Sequence, residues 1–164
     1  MLIRFDECIS WRIVEAIEQL RLPPNVVLET AQRRNENGQA DIAWIEDFAQ
    51  RGGNLIVSGD ASMRSVQLER AALEASGLVA VFPSSKKYFD GLRKWAQAAY
   101  LIAWFPVIMR LATEAPAGAH YRLPATFSGE FESIIELRPL AEVEAEHQEK
   151  TRVKREREAQ RGQG

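Results

Sequence analysis

The sequence predicts an α/β protein, a three-layer α/β/α sandwich with a mainly parallel central sheet, followed by a charged C-terminal tail. Three observations carry that prediction. Short apolar stretches alternate with helical patterns of about 10 to 15 residues as far as Phe82, and right-handed crossovers turn such an alternation into parallel strands covered on both faces. LVAVF, Leu78 to Phe82, is a near-continuous apolar run of the kind a strand buried on both faces requires. Beyond Ala141 the chain holds six acidic and six basic residues, with only two valines besides its alanines, and has no face to bury. A chain of 164 residues with 46% hydrophobic content therefore divides into one domain, 1–140, and a tail, 141–164. In the tail, Glu146 with Lys150 and Lys154 with Glu158 stand at helical spacing, so a solvated helix that frays into disorder is expected, the alternative being an arm that contacts a partner or a phosphate backbone.

The elements follow in order. Leu2 to Asp6 reads as a strand. A helix then starts at Ser10, which can cap it, with Ile9 stapling onto Val14 and with Ile13, Val14, Ile17 and Leu20 on its apolar face. Pro23 and Pro24 end it, and VVLETA, Val26 to Ala31, is the second strand. QRRNENGQA is a polar loop with a turn at Asn37 and Gly38, and a helix begins near Asp41, closed by Gly52 and Gly53. NLIVSGD, Asn54 to Asp60, is the third strand; MRSVQLERAALEAS is a helix ended by Gly77, and Leu78 to Phe82 is the fourth strand. Phe89 to Leu111 is one helix with Leu92, Trp95, Ala99 and Ile102 along a face, kinked or split at Pro106 by the loss of a backbone donor. HYRLP and FESIIEL are short strands.

Composition excludes several classes. A net charge of −2 rules out a generally basic nucleic-acid coat, so any nucleic-acid contact must be a local patch. One cysteine, Cys8, allows no intrachain disulfide, and two histidines, His120 and His147, make no zinc motif; a reducing, cytoplasmic setting is expected. The longest uncharged apolar run, Ala98 to Met109, is 12 residues with a proline inside, whereas a membrane span needs ~20, so no membrane is expected among the partners.

The acids locate the candidate chemistry. Asp6 and Glu7 are adjacent at the end of a strand, where like charges ~5 Å apart repel by roughly 3 kcal/mol at an effective dielectric of ~20. In open parallel sheets, ligands bind outside the carboxyl ends of the strands. That edge collects Asp6 and Glu7 from the first strand, Asp60 from the third and Asp41 from the helix feeding it. Such a group suits a hard cation, Mg²⁺ or Mn²⁺, whose charge offsets the repulsion. Each acid also has a plainer role: Asp41 as a helix cap, Asp60 as a turn residue, and Glu7 on the opposite face from Asp6 unless the strand has already ended. Glu29 is a reserve acid.

The FDECIS opening, DIAWIEDFA and LIVSGDAS together resemble the PIN-like domains, in particular the compact branch with an FDEN-like opening, a D-x-x-I stretch and a strand ending in T-x-D. The likeness runs through ERAALEASGLVAVF to roughly Pro139. It implies a PIN-like fold and a metal-dependent ribonuclease, often the VapC-like toxin of a toxin–antitoxin module, with Asp6, Asp41 and Asp60 at the acidic metal positions and Glu7 where relatives frequently carry an acid. The chain departs from the pattern at Ala61 and Ser62, where many relatives place a second aspartate, and at Ser58, where threonine is common.

The expected reaction is hydrolysis of RNA phosphodiester bonds, the acids holding one or two cations that acidify a water. Arg33 and Arg34, Arg64, and Lys86 with Lys87 fall on the same sheet edge and are candidate contacts to the RNA backbone, each also readable as a solubilising charge. Trp95, Trp104, Phe105, Tyr100 and Met109 read as core, as a base-stacking platform, or as an interface for homodimerisation, with an antitoxin-like partner as the extension the family implies. Two rivals stand. A phospho-acceptor receiver also places an acidic pair after its first strand and an aspartate after its third, with Ser84 or Ser85 and Lys86 as its switch residues. Against it, a receiver continues with a further strand and helix that end its sheet near residue 120, whereas this chain enters a kinked aromatic helix instead. The other rival is a catalytically silent PIN-like binding module.

Overall fold

The structure, a computed structural model, describes residues 1–34, 41–64, 66–128 and 133–137, together with 142, 145, 148–153 and 155; of Asp41 and Gln67 it describes the backbone alone. Six strands form one sheet: β1 (Leu2–Phe5), β2 (Val27–Thr30), β3 (Leu55–Val57), β4 (Val79–Phe82), β5 (His120–Arg122) and β6 (Ile135–Leu137). Their order is β2-β1-β3-β4-β5-β6, parallel throughout except for β6, which runs antiparallel to β5. The helices are α1 (Trp11–Glu18), α2 (Ala31–Arg34), α3 (Asp41–Gln50), α4 (Gln67–Ser76), α5 (Lys86–Gly91) and α6 (Lys94–Glu114), with a 3₁₀ turn at Ala61–Arg64.

Strand alternation sorts the core into two layers. Ile3, Phe5, Leu55, Val57, Val79 and Val81 face α1 and α6, meeting Ile13, Ile17, Trp104 and Ile108. Ile56, Ala80 and Phe82 face the other way, onto Trp44, Ile45 and Phe48 of α3 and Leu73 of α4. The expected α/β/α sandwich is therefore present, and β4 is buried along its whole length. Close approach explains Gly53: a Cβ there would lie 2.4 Å from the buried Phe48 ring, so only glycine lets the chain turn from α3 into β3 at this distance.

Several local expectations are corrected. Ser10 stands at the N-cap of α1 but makes no side-chain capping bond, and the helix stops at Glu18, well before Pro23. The chain turns instead at Arg21, whose φ is +56°, and Leu20 is exposed. The stretch from Gln32 contributes to α2 before the loop; the turn expected at Asn37 and Gly38 lies outside the described residues, as do His147 and the Glu146 and Lys154 partners of the tail pairs. Ala61–Arg64 forms a separate 3₁₀ turn where one longer helix was expected. The aromatic segment splits at Leu92 and Arg93, which are extended, and not at Pro106, which α6 carries on its exposed side. The buried face of α6 is Gln97, Tyr100, Leu101, Trp104, Phe105 and Ile108, whereas Trp95 is 73% exposed. This helix is long and apolar enough to cross a membrane by length and composition, yet it packs on α1 and the sheet. A fifth parallel strand follows it, at His120–Arg122, so the aromatic helix does not stand in place of a receiver's further strand; the next element is the antiparallel β6 and not the helix that would end a receiver.

Candidate active site

The strand order reverses direction between β1 and β3, β1 leading on to β2 on one side and β3 leading on to β4 on the other. Crevices in open parallel sheets form at such a reversal, outside the carboxyl ends of the two strands. Asp6 follows β1 and Asp60 follows β3 by three residues, so topology alone brings these loops side by side. Because β1 has ended at Phe5, alternation no longer separates Asp6 from Glu7, and both line one pocket of about 180 Å³ together with Cys8, Asp60, Ser62 and Glu69. Glu69, on the first turn of α4, was not anticipated; its only signal in the sequence was an acid on the helix that follows Asp60.

Asp6 is nearly buried, at 9% exposure, and firmly held. Its backbone N–H donates to the Val57 carbonyl at 3.0 Å, extending the ladder one residue beyond the strand. Its Oδ1 accepts from the Glu7 N–H at 2.6 Å, and its Oδ2 accepts from the Ser58 hydroxyl at 2.7 Å and the Cys8 thiol at 3.1 Å. Ser58 Oγ in turn accepts from the Asp60 N–H at 3.1 Å, so one buried hydroxyl ties the two acid loops together. Gly59 donates to Cys8 Sγ at 3.0 Å, and a Cβ at that position would meet the same sulfur at 3.1 Å. Although Cys8 as a residue is exposed, burial of its thiol, then the Asp6 carboxylate, push it up to about 12, so it is an uncharged donor at neutral pH.

Asp60 is half-buried and bound on both oxygens: Oδ1 accepts from the Ser62 N–H at 2.8 Å, and Oδ2 is paired with the Lys86 ammonium. Burial acts to raise its carboxyl, but the bonds from Lys86 and Ser62 outweigh that and hold it below the usual range. The bond to Asp60 likewise raises Lys86. The electrostatic conflict expected at this edge is thus partly resolved within the chain, by N–H, O–H and ammonium donors.

Among the described residues, which exclude the Asp41 side chain, no three His, Cys, Asp or Glu side chains gather closely enough to hold a metal ion by themselves. The donor chemistry nonetheless fits a hard cation: every carboxylate of the pocket offers oxygen, and Mg²⁺ is usually held by one or two carboxylates, with waters and substrate phosphate completing its shell.

The basic candidates separate. Lys86 belongs to the site, and Arg64 adjoins it, between the pocket residues Met63 and Val66. Arg33 is engaged by Glu18 through two bonds of 2.5 and 2.6 Å, and Arg34 pairs with Asp47 at 3.6 Å. Lys87 is exposed. Glu29, the reserve acid, bonds to Arg4 and Arg51 and is structural.

His120 is buried, packed edge-on to Phe82 at 6.3 Å, and its Nδ1 accepts from Arg64 Nε at 3.2 Å. Burial, then the Arg64 charge, lower it to about 4. An unfolded histidine titrates near 6.5, so between pH 6.5 and 4 the unfolded chain binds more protons and stability falls as pH falls. We expect His120→Phe to lose this component, on the order of 3 kcal/mol. Denaturant titrations at pH 7 and pH 4.5 check it: the stability difference between the two pH values shrinks in the variant, and an unchanged difference refutes it.

Residues 1–85, just over half of the chain, match the sequence model of a family described as PIN like domain. Neither the curated proteins nor the solved structures give a match to the chain.

Proposed function

The chain belongs to the PIN-like domain family, and from that premise we propose that it is a metal-dependent endoribonuclease acting on RNA phosphodiester bonds. The observation that supports the reading most is the meeting of Asp6, Glu7 and Asp60, acids from two distant loops, in one pocket at the reversal of strand order. A divalent cation held there would supply Lewis-acid chemistry, polarising a phosphoryl oxygen and lowering the pKa of a water. Asp6 and Asp60 are its proposed ligands, with Asp41 and Glu7 as the further acids. Ser58 orients Asp6 through its hydroxyl, and the Glu7 N–H fixes the other carboxylate oxygen. Lys86, whose side chain is 58% exposed, pairs with Asp60 and is long enough to turn its ammonium to a phosphate if Asp60 were taken up by a cation. For partners beyond RNA, the exposed Trp95 is the residue that a second copy or an antitoxin-like protein would cover.

The test is cleavage of a fluorogenic RNA by the full chain. Cleavage is expected with Mg²⁺ or Mn²⁺ and none with chelator; cleavage indifferent to chelator, or absent with both cations across varied RNA sequences, overturns the reading. One observation favours a second reading, as a phospho-acceptor. The ion pair of Lys86 with Asp60 stands beside five parallel strands in the order 2-1-3-4-5, which receiver-type folds share. Incubation with a small phosphodonor followed by mass spectrometry decides: a phosphoryl group on Asp60 would establish the second reading, and its absence with metal-dependent cleavage the first.

A further inference from the structure

We infer that Lys86 sets the metal affinity of the acidic pocket: its ammonium holds the place of a cation on Asp60, and on metal loading it passes to Asp90, one helical turn away. This deepens, and rests on, the metal site of the ribonuclease reading above.

The two acids proposed as ligands are held in different ways. The donors bonded to Asp6 are neutral: the Glu7 N–H, the Ser58 hydroxyl and the Cys8 thiol. On Asp60 the Ser62 N–H takes Oδ1 and the Lys86 ammonium takes Oδ2. The Ser62 bond belongs to the backbone of the 3₁₀ turn Ala61–Arg64 and persists as long as that turn does. The Lys86 bond belongs to a side chain that is 58% exposed, and it can be exchanged. A divalent ion beside Asp60 would meet this ammonium at close range, where like charges oppose each other. Loading a metal therefore requires the ammonium to leave.

The helix beneath Lys86 is fixed. Ser85 caps α5 by accepting from the Tyr88 N–H at 3.1 Å, and the Tyr88 hydroxyl donates to the Ala125 carbonyl at 2.9 Å. Phe89 is buried in the core, and its carbonyl accepts from Gln97 Nε2 at 2.8 Å. A flexible four-carbon stem on an anchored helix is an arm that swings while its base stays in place. The second seat for that arm is Asp90, exposed and four residues on in the same helix, where side chains at this spacing are neighbours. Asp90 already acts on the Lys86 ammonium, after Asp60 and in the same direction. The order of the two seats follows from helix geometry: a lysine N-terminal to its acid is the weaker arrangement at this spacing, whereas the Asp60 carboxylate is half-buried. Asp60 therefore holds the ammonium without metal, and Asp90 receives it when metal takes Asp60.

The test is Mn²⁺ binding to the full chain by calorimetry, without RNA, which reads the site and not turnover. An ion pair this exposed is worth at most about a fivefold change in an equilibrium, so Lys86→Met should bind Mn²⁺ about three- to fivefold more tightly than the wild type. Lys87→Met removes the same charge from the next position and should leave the affinity within about twofold. Equal tightening in the two variants, or none in Lys86→Met, overturns the displacement. Lys86→Gln takes the place of Lys86→Met should the latter fail to fold. The second seat is read by carboxyl ¹³C NMR with Mg²⁺: the Asp90 carboxyl signal should shift on saturation in the wild type and stay in place in Lys86→Met. A signal that stays in both, or moves equally in both, overturns the transfer to Asp90. A wild type that binds neither cation overturns this inference and the metal-dependent reading together. Tighter Mn²⁺ binding by Lys86→Met in a protein that cleaves no RNA overturns the ribonuclease reading alone and supports the role of Lys86.

Discussion

Asp6→Asn should lower metal-dependent RNA cleavage by about a thousandfold or more while leaving the fold intact. The magnitude follows from charge: a cation at the reacting phosphate supplies several kcal/mol of transition-state stabilisation, and each 1.4 kcal/mol or so is tenfold in rate. Asparagine is nearly isosteric but presents one neutral oxygen where aspartate presents two that share a charge. Retention of the fold follows from the bonds around the carboxylate. Asn Oδ1 can still accept from the Glu7 N–H, as Asp6 Oδ1 does at 2.6 Å. Its Nδ2 would then face Ser58 Oγ, and the serine can accept that bond by turning its own proton to the Asp60 carbonyl, already 3.2 Å away. The Cys8 thiol loses a charged acceptor, a weak bond to begin with. The melting temperature should therefore move by no more than a few degrees, with Mn²⁺ affinity measured by calorimetry falling alongside cleavage. Wild-type cleavage in a folded Asp6→Asn removes Asp6 from the chemistry; lost cleavage with unchanged Mn²⁺ affinity assigns it a role other than holding metal.

The parts of this site that were legible in the sequence are those that depend on local pattern. Leu2–Phe5, Leu55–Val57 and Val79–Phe82 stand out as strands because each is apolar and bounded by polar or turn residues, and the strand-end rule then selects Asp6 and Asp60 without any contact information. What the pattern does not contain is the pairing across the chain. Ser58 stands out in the sequence only for the threonine it replaces, yet its hydroxyl bridges positions 6 and 60 because β1 and β3 are neighbours. Lys86 reads as a candidate phosphate contact, and its bond to Asp60 arises from the adjacency of β3 and β4. His120 carries no signal: a histidine on a three-residue strand acquires meaning only when β5 docks on β4 and Arg64 reaches it. The misjudged face of α6 has a different cause. The segment is apolar nearly all round, so helical spacing alone cannot choose between a stripe through Trp95 and one through Trp104.

The largest stability effect is expected at Glu29, the acid that sequence pattern held in reserve for the site. β1 and β2 pair so that Arg4 and Glu29 stand opposite each other, and Arg4, 1% exposed, donates from Nη1 to Glu29 Oε1 at 2.9 Å with its guanidinium carbon 4.5 Å over the Trp44 ring. Arg51, from the end of α3, closes on the same carboxylate with two bonds of 2.8 Å and bonds Asp47 at 2.7 Å. Burial acts to raise the Glu29 carboxyl, but Arg51 and then Arg4 outweigh it and lower it; this stability is present above the unfolded carboxylate range and is lost as pH falls. Removing one member of a buried ion pair typically costs about 3–5 kcal/mol, because charge stays behind in a medium that solvates it poorly. Glu29→Ala should therefore lower the melting temperature at pH 7 by roughly 10 °C. The loss should come from the charge left inside and not from missing attraction, which separates two explanations: the double variant Arg4→Met with Glu29→Leu should recover most of the stability that Glu29→Ala forfeits. A double variant as unstable as the sum of its singles contradicts that origin. Glu29→Gln should cleave RNA at the wild-type rate below its own melting transition, since its carboxylate is committed to Arg4 and Arg51 and lines neither pocket that contains Asp6; a catalytic defect in the folded variant would move Glu29 from the scaffold to the site.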